Sequence, residues 1–404
     1  MCIRRLFNIP SVCLYFEVHQ PIRLKRFSVF SIGSEANPYD TYFDHELNRN
    51  IFYRVAKKCY LPTNELLYEL ISKYNGKFKV SYSLTGTFIE LCEKHFPDVI
   101  SSFMKLRKTG CVDFLDETYY HSLSSLYDNL TEFERQVKMH RDMMKEKFDY
   151  TPSVFRNTEA IYDNRIAKKV KEIGYKGIIT EGTEKILGWR SPNYLYKPAK
   201  SNIKVLLRNY PLSDDIGFRF SAKGWSGYPL TADKFAAWVS QSPGDIINIF
   251  IDYETFGEHQ WSDTGIFGFL RHLPDELLKY SNVDFITPAE AVKRYEPVGE
   301  IDVPFAISWA DMARDVSTWL GNDMQRDAFN ELKSLEEPLM RKANPELLLH
   351  VWRLLQCSDH LYYQCTKGLA DGDVHQYFNP YDSPYEGFIN YMNIIQDLKQ
   401  RAYR

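Results

Sequence analysis

Residues 246–261 read IINIFIDYETFGEHQW, and this stretch constrains the fold more than any other part of the chain. Five of its first six residues are apolar, four of them isoleucine. A short apolar run, mostly β-branched, is the pattern of a strand buried on both faces of a parallel sheet. It ends abruptly in Asp252, Glu254, Glu258 and His259, with Phe256, Gly257 and Trp261 interleaved. Titratable groups gathered at the C-terminal end of a buried strand fit an α/β barrel active site. Taken alone, the segment also fits a solvated, charged loop that caps a strand.

The same pattern recurs along the chain. Residues 11–18 (SVCLYFEV) form a first buried strand and run into His19-Gln20-Pro21, either a site element or a turn with a satisfied histidine. Further strands are expected at 77–83, 111–115, 153–162, 175–180 and 203–209, with 283–286 entering the turn Thr287-Pro288. Helices are expected around 48–59 and 64–74, and from Gly86-Thr87 to about Lys108. A Thr131/Glu134 capping box opens another, and Gly174 stops the helix over 165–173. Two more cover 232–239 and 266–280, while 27–42 and 212–220 read as loops. His140 shares an apolar stripe with Phe133, Val137, Met144 and Phe148 and reads as structural. This is β–α alternation repeated about seven times, with polar residues collecting at strand ends. From Pro304 the character changes to helices at 323–339, 345–367 and 384–398, with 378–384 as a turn-rich connection. The expected organisation is a barrel over 11–295 followed by an α-helical domain over 304–404.

Composition narrows the function classes. A net charge of −3, a pI near 6.4 and no basic run argue against nucleic acid or an anionic membrane surface. No apolar stretch approaches the ~20 residues of a membrane span. The N-terminal segment MCIRRLFNIPSVCLYF is interrupted by Asn8 and Pro10 and is not expected to act as a signal peptide. Seven cysteines without regular spacing suit a reducing compartment, so a cytoplasmic location is expected. The 28 tyrosines are compatible with rings that stack on sugars, and equally with a bulky core.

Two carboxylates, Glu159 and Asp252, each stand immediately beyond a buried strand. Retaining glycoside hydrolysis uses such a pair, one attacking the anomeric carbon and the other protonating the leaving oxygen. Arg156, His19 and His259 flank them and could tune their ionisation. The ten histidines form no HxxH, HxxxH or HExxH pair, so no metal ligand is assigned, although distant strands could still assemble a zinc or manganese site, and no cofactor is expected. There is no GxGxxG, P-loop or GxSxG pattern.

Taken together, His19-Gln20-Pro21, residues 155–162 (FRNTEAIY) and residues 252–259 (DYETFGEH) resemble glycoside hydrolase family 57, most closely its bacterial, α-amylase-like members. The resemblance runs from about Val12 to Leu398 and includes LLRNYPLSDDIGFRF, ISWADMARDVSTWLGND and DGDVHQYFNPYDSPYE. It implies a distorted (β/α)7 barrel, with a helical domain that completes the active-site cleft. It also implies retaining action on α-glucans without an organic cofactor. Glu159 would be the nucleophile and Asp252 the general acid/base. His19 would contact sugar at the catalytic subsite, with Gln20 beside it. Asp359 and His360 of the QCSDH segment would reach the cleft from the helical domain. Asp113 stands where the family has a glutamate, and Asp116 where relatives have glycine. Glu254 and His259 either contact sugar or orient Asp252. Trp261 is a stacking platform or a lid. Asp214, Asp215 and Arg219 are sugar ligands or an ion-pair cluster, and Tyr120 and His121 line a subsite or the core. The expected function is an α-amylase-like enzyme on starch- or glycogen-type oligosaccharides. Transfer by a 4-α-glucanotransferase or branching enzyme remains open, since the covalent intermediate is the same. The rivals are a metal-dependent sugar deacetylase, which needs a His/Asp triad, and a non-catalytic glucan-binding protein.

Overall fold

A computed structural model describes residues 10–281, 283–367 and 379–404. Seven parallel strands follow the apolar runs: β1 Ser11–Val18, β2 Val80–Leu84, β3 Val112–Phe114, β4 Val154–Arg156, β5 Gly177–Glu181, β6 Lys204–Arg208 and β7 Ile246–Asp252. Their order around the sheet is β3-β2-β1-β7-β6-β5-β4. The edges meet at Asp116, whose N–H donates to Val154 O at 3.2 Å while its C=O accepts from Arg156 N at 2.8 Å. The result is a nearly closed (β/α)7 barrel. Helices between successive strands, among them Thr131–Phe148 and Ala232–Gln241, press apolar faces onto its outside.

Strand periodicity explains the interior. Side chains two apart point the same way, so Cys13 and Tyr15 share the inner face of β1 with Glu17. Val154 precedes Arg156 in the same way, as do Ile179 and Glu181, Leu206 and Arg208, and Phe250 and Asp252. The lower members form an apolar cluster, closed from below by Ile286, Ala291 and Val292. Each such side chain contributes roughly 1.5–3 kcal/mol on full burial. The upper members form a charged layer at the C-terminal strand ends. In β1 and β7, Glu17 lies level with Asp252, and in β5 and β6, Glu181 lies level with Arg208.

Several local expectations change. Residues 210–217 form a helix rather than a loop: Asn209 accepts from Leu212 N at 3.2 Å and Pro211 occupies the first turn. Thr131 and Glu134 make no capping box; Leu130 stands at the N-cap position without a side-chain hydrogen bond, and Glu134 pairs with Lys169 at 2.6 Å. Pro97 divides the helix expected from Gly86 onward into Gly86–His95 and Pro97–Arg107. Residues 283–286 make only a bridge between Phe285 and Val12. His140 is structural, bonding Asp116 at 2.8 Å and Leu84 O at 2.9 Å. Asp116, where relatives have glycine, also accepts from Tyr175 at 2.6 Å and ties three elements together where the barrel closes. Asp113 accepts from Tyr150 and from Ala289 N at 2.9 Å, in a structural role near the barrel bottom.

Beyond the barrel, the longest helices are Asp323–Ser334, Glu346–Leu355 and Pro384–Tyr403. Their Leu332, Trp352 and Leu398 share one core with barrel residues such as Val12 and Phe16. Residues 368–378, which include part of the expected 378–384 connection, lie outside the described residues. No helix among the described residues is long and apolar enough to cross a membrane.

Candidate active site

A cleft of about 390 Å³ opens over the charged layer. Its wall includes Glu17, His19, Gln20, His121, Glu159, Asp252, Glu254, His259, Trp309 and Asp359. Strand closure therefore brings Glu159 and Asp252, far apart in sequence, to one cavity.

Glu159 sits in a tight turn after β4, at φ 55, and Ala160 follows at φ 50. Non-glycine residues in this left-handed region carry strain of order 1–3 kcal/mol, and such strain concentrates at functional sites. The turn is held by antiparallel pairing with a segment from beyond the barrel, Tyr162 and Ile307 exchanging hydrogen bonds of 3.0 Å. That pairing carries Trp309 into the cleft, where its indole N–H donates to Glu159 Oε2 at 2.9 Å. A second pairing, with Ser358 N donating to His121 O at 2.9 Å, brings in the QCSDH segment. Ser358 Oγ then donates to Glu159 Oε1 at 2.9 Å, and His121 Nε2 reaches the same oxygen at 3.3 Å.

Burial pushes the Glu159 pKa up, but the hydrogen bond and charge of His121, the Arg156 guanidinium and Trp309 outweigh it and bring it down to about 2. His121 is the counterpart. Burial works against its charge, but Glu17, Glu117 and Glu159 around it raise its pKa to about 10. Below them the buried Arg156 makes a bidentate pair with Glu17. Glu159 is thus an ionised, strongly hydrogen-bonded carboxylate aimed into a cleft, which is what a carboxylate nucleophile requires.

The opposite wall differs. Glu254 is 6 % exposed and accepts from Tyr60 at 2.5 Å. Tyr60 ends a widened π-type turn, Ala56–Tyr60, between two helices, a feature frequent at functional sites. Burial, with the Asp252 charge adding to it, raises the Glu254 pKa to about 8. Gln20 donates to Tyr60 at 3.2 Å and so belongs to this wall. His259 is kept neutral, burial lowering its pKa to about 4. His19 stacks its ring on His121 at 3.9 Å and reaches Thr85 and Asp359, both at 3.0 Å.

Two expected residues lie elsewhere. Trp261 is not a cleft residue; it is 52 % exposed and lies under Lys58, whose ammonium is 5.1 Å from its ring. His360 points away from Asp359 into the helical core, its ring 5.6 Å from that of Tyr391. The helix that starts at Ser358 accounts for this, because successive side chains diverge by about 100°. Asp214, Asp215 and Arg219 are an ion-pair cluster that also meets the cleft: Arg219 pairs with Asp215 at 2.7 Å, while Asp214 takes Arg208 at 2.5 Å and Arg314 at 3.1 Å. His121 lines the site, whereas Tyr120 is buried against His350 at 3.1 Å.

Glu17, Glu117, Arg208, Trp309 and Ser358 were not among the expected site residues. Glu17 and Arg208 do carry a signal, since each is the charged end of an alternating inner face. Trp309 and Ser358 arrive through long-range pairing and have no local signature.

The family model described as Glycosyl hydrolase family 57 matches residues 13–304. A Methanocaldococcus jannaschii protein named "Putative alpha-amylase" is 51% identical over 394 residues, covering 95% of this chain and 83% of its own length. This relative is archaeal and lends no support to the narrower likeness to bacterial members. Among solved structures, the 4-alpha-glucanotransferase of Thermococcus litoralis superposes with a TM-score of 0.69 at 16% identity, over 96% of this chain and 60% of that one. The branching enzyme of Pyrococcus horikoshii gives 0.67 at 15%, over 91% and 87%. At such identities these two structures speak for the fold alone. The family-model match and the 51% relative place the chain in glycosyl hydrolase family 57.

Proposed function

We propose that the protein is a retaining, α-amylase-like enzyme acting on α-1,4-glucans. Glu159 is the nucleophile and Asp252 the general acid/base. The observation that carries this reading is the ionised Glu159, held by three donors in the cleft that Asp252 also lines. In the first step Glu159 attacks the anomeric carbon while Asp252 protonates the departing oxygen. In the second, Asp252 takes a proton from water and the glycosyl-enzyme is released. His19, Gln20, Glu254, His259 and Asp359 line the cleft as sugar-contacting groups, in keeping with their place in its wall. The barrel over 11–295 supplies both carboxylates, and the helical domain over 304–404 supplies Trp309, Ser358 and Asp359. Six free thiols among the described cysteines suit a cytoplasmic location.

Transfer to a second sugar is the alternative outcome of the same intermediate. The exposed Phe218 and Met312 at the cleft wall favour it, because they offer an apolar platform for an acceptor. A barrier difference of ~1.4 kcal/mol between water and sugar changes the product ratio tenfold. Digestion of maltoheptaose by wild type and Glu159→Gln tests both readings. Shorter sugars from wild type alone support hydrolysis, and sugars both longer and shorter than seven units support transfer. Equal turnover by the variant would remove Glu159 from the mechanism.

A further inference from the structure

Beside the proposed nucleophile, three side chains of metal-binding chemistry converge without a role in the sugar chemistry that accounts for all of them. His19 leaves the end of β1, while Cys357 and Asp359 come from the QCSDH segment some 340 positions later. His19 Nε2 lies 3.0 Å from Asp359 Oδ2, Cys357 Sγ lies 3.2 Å from the same oxygen, and Cys357 Sγ lies 3.6 Å from His19 Nε2. We propose that His19, Cys357 and Asp359 form a binding site for one zinc-like divalent ion, clipping the helical segment to the barrel at the cleft wall.

The spacing carries the argument. A tetrahedral ion about 2.1 Å from nitrogen and oxygen and about 2.3 Å from sulfur sets donor–donor edges of roughly 3.3–3.6 Å. The observed triangle of 3.0, 3.2 and 3.6 Å becomes one face of that tetrahedron with shifts of a few tenths of an ångström. Thiolate, imidazole and carboxylate together suit zinc, whereas magnesium and calcium take oxygen ligands. The outer contacts are of the kind that orient ligands: the other ring nitrogen of His19 meets Thr85 Oγ1 at 3.0 Å, and the flat face of His19 rests on His121. His19 and Asp359 line the cleft while Cys357 is buried behind them, so the fourth position faces the cavity.

On binding, the ion displaces the thiol proton of Cys357 to solvent, while the ring proton of His19 resides on Nδ1, where Thr85 Oγ1 at 3.0 Å accepts it. No electron is exchanged. The bound ion withdraws His19 and Asp359 from any sugar and stands next to Ser358, which bonds Glu159. Occupancy is therefore inhibitory to glucan turnover, but metal binding itself does not depend on the glucan reading being correct.

Titrating the reduced, metal-free full chain with cobalt(II) tests the site. The expected result is one equivalent per chain, with intense tetrahedral visible bands and a thiolate-to-cobalt charge-transfer band, both abolished by adding zinc. Cys357→Ser should lose the charge-transfer band and bind zinc at least tenfold more weakly. Asp359→Asn should keep the band with weaker affinity. As a check needing no variant, zinc should slow alkylation of Cys357 in the wild type at least tenfold, with Cys365 as internal reference. A pale octahedral cobalt spectrum, a band that survives Cys357→Ser, or alkylation of Cys357 indifferent to zinc would each overturn the proposal.

Discussion

Glu159, partly exposed to the cleft, and the buried Glu254 are carboxyl groups on the wall of one cleft, yet their surroundings drive them apart, one to a pKa of about 2 and the other to about 8. Burial raises both. Around Glu159 it is overcome by His121, the Arg156 guanidinium and the indole N–H of Trp309. Around Glu254 the tyrosine hydroxyl of Tyr60 is too weak a counterweight, and the neighbouring Asp252 charge adds to the effect of burial. At neutral pH one wall therefore presents an anion and the other a neutral acid beside Asp252. Unequal placement of cations creates that division, and in the proposed mechanism the neutral Glu254 stands beside the general acid/base Asp252.

The comparison can be broken from its charged side first. Glu159→Gln, nearly isosteric and neutral, should lower turnover of α-glucan by about 10⁴-fold or more in a protein that still folds. Next, Arg156→Met strands Glu17 without its bidentate partner. Losing one member of a buried pair costs roughly 3–5 kcal/mol, which chemical denaturation would read directly.

Glu254 sharpens the comparison from the other side. Its folded-state pKa is raised, so the native state holds a proton between the unfolded value of ~4.3 and about 8 that the unfolded chain has released. Stability therefore falls as pH rises through that window. Glu159 has the opposite sign: its contribution is present above ~4.3 and is lost as pH falls through about 2. Glu254→Gln should stabilise the protein more at pH 8 than at pH 5, by roughly 2–4 kcal/mol. The smallest effect is expected from His121→Asn. It removes the cation on Glu159, so the acidic limb of kcat/KM should move up by about one pH unit, with a loss of roughly 10–100-fold in kcat. An unchanged acidic limb would show that His121 does not set the ionisation of Glu159.

The charged half of this cleft was only partly legible in the sequence. The seven strands show as apolar runs because parallel strands are buried on both faces, and Glu159 and Asp252 show as the acids where two of those runs stop. Glu17 and Arg208 were readable in principle, each ending a two-residue alternation that begins with apolar side chains. Trp309 was not, since it reaches Glu159 across 150 positions by pairing with the turn after β4. Trp261 shows the reverse: an aromatic residue in the right motif that the chain carries past the cleft onto Lys58. Asp116 was a departure from the family pattern without a readable reason, until barrel closure placed it against His140 and Tyr175. Local pattern reveals strand ends, whereas the groups that tune them come from wherever the chain returns.

The most direct test of the assigned roles is azide rescue of Glu159→Ala on an α-maltosyl substrate with an activated leaving group. Azide should enter the space left by the carboxylate, restore turnover and yield the β-glycosyl azide. An α-glycosyl azide, or rescue with β-azide formation by Asp252→Ala instead, would contradict Glu159 as the nucleophile.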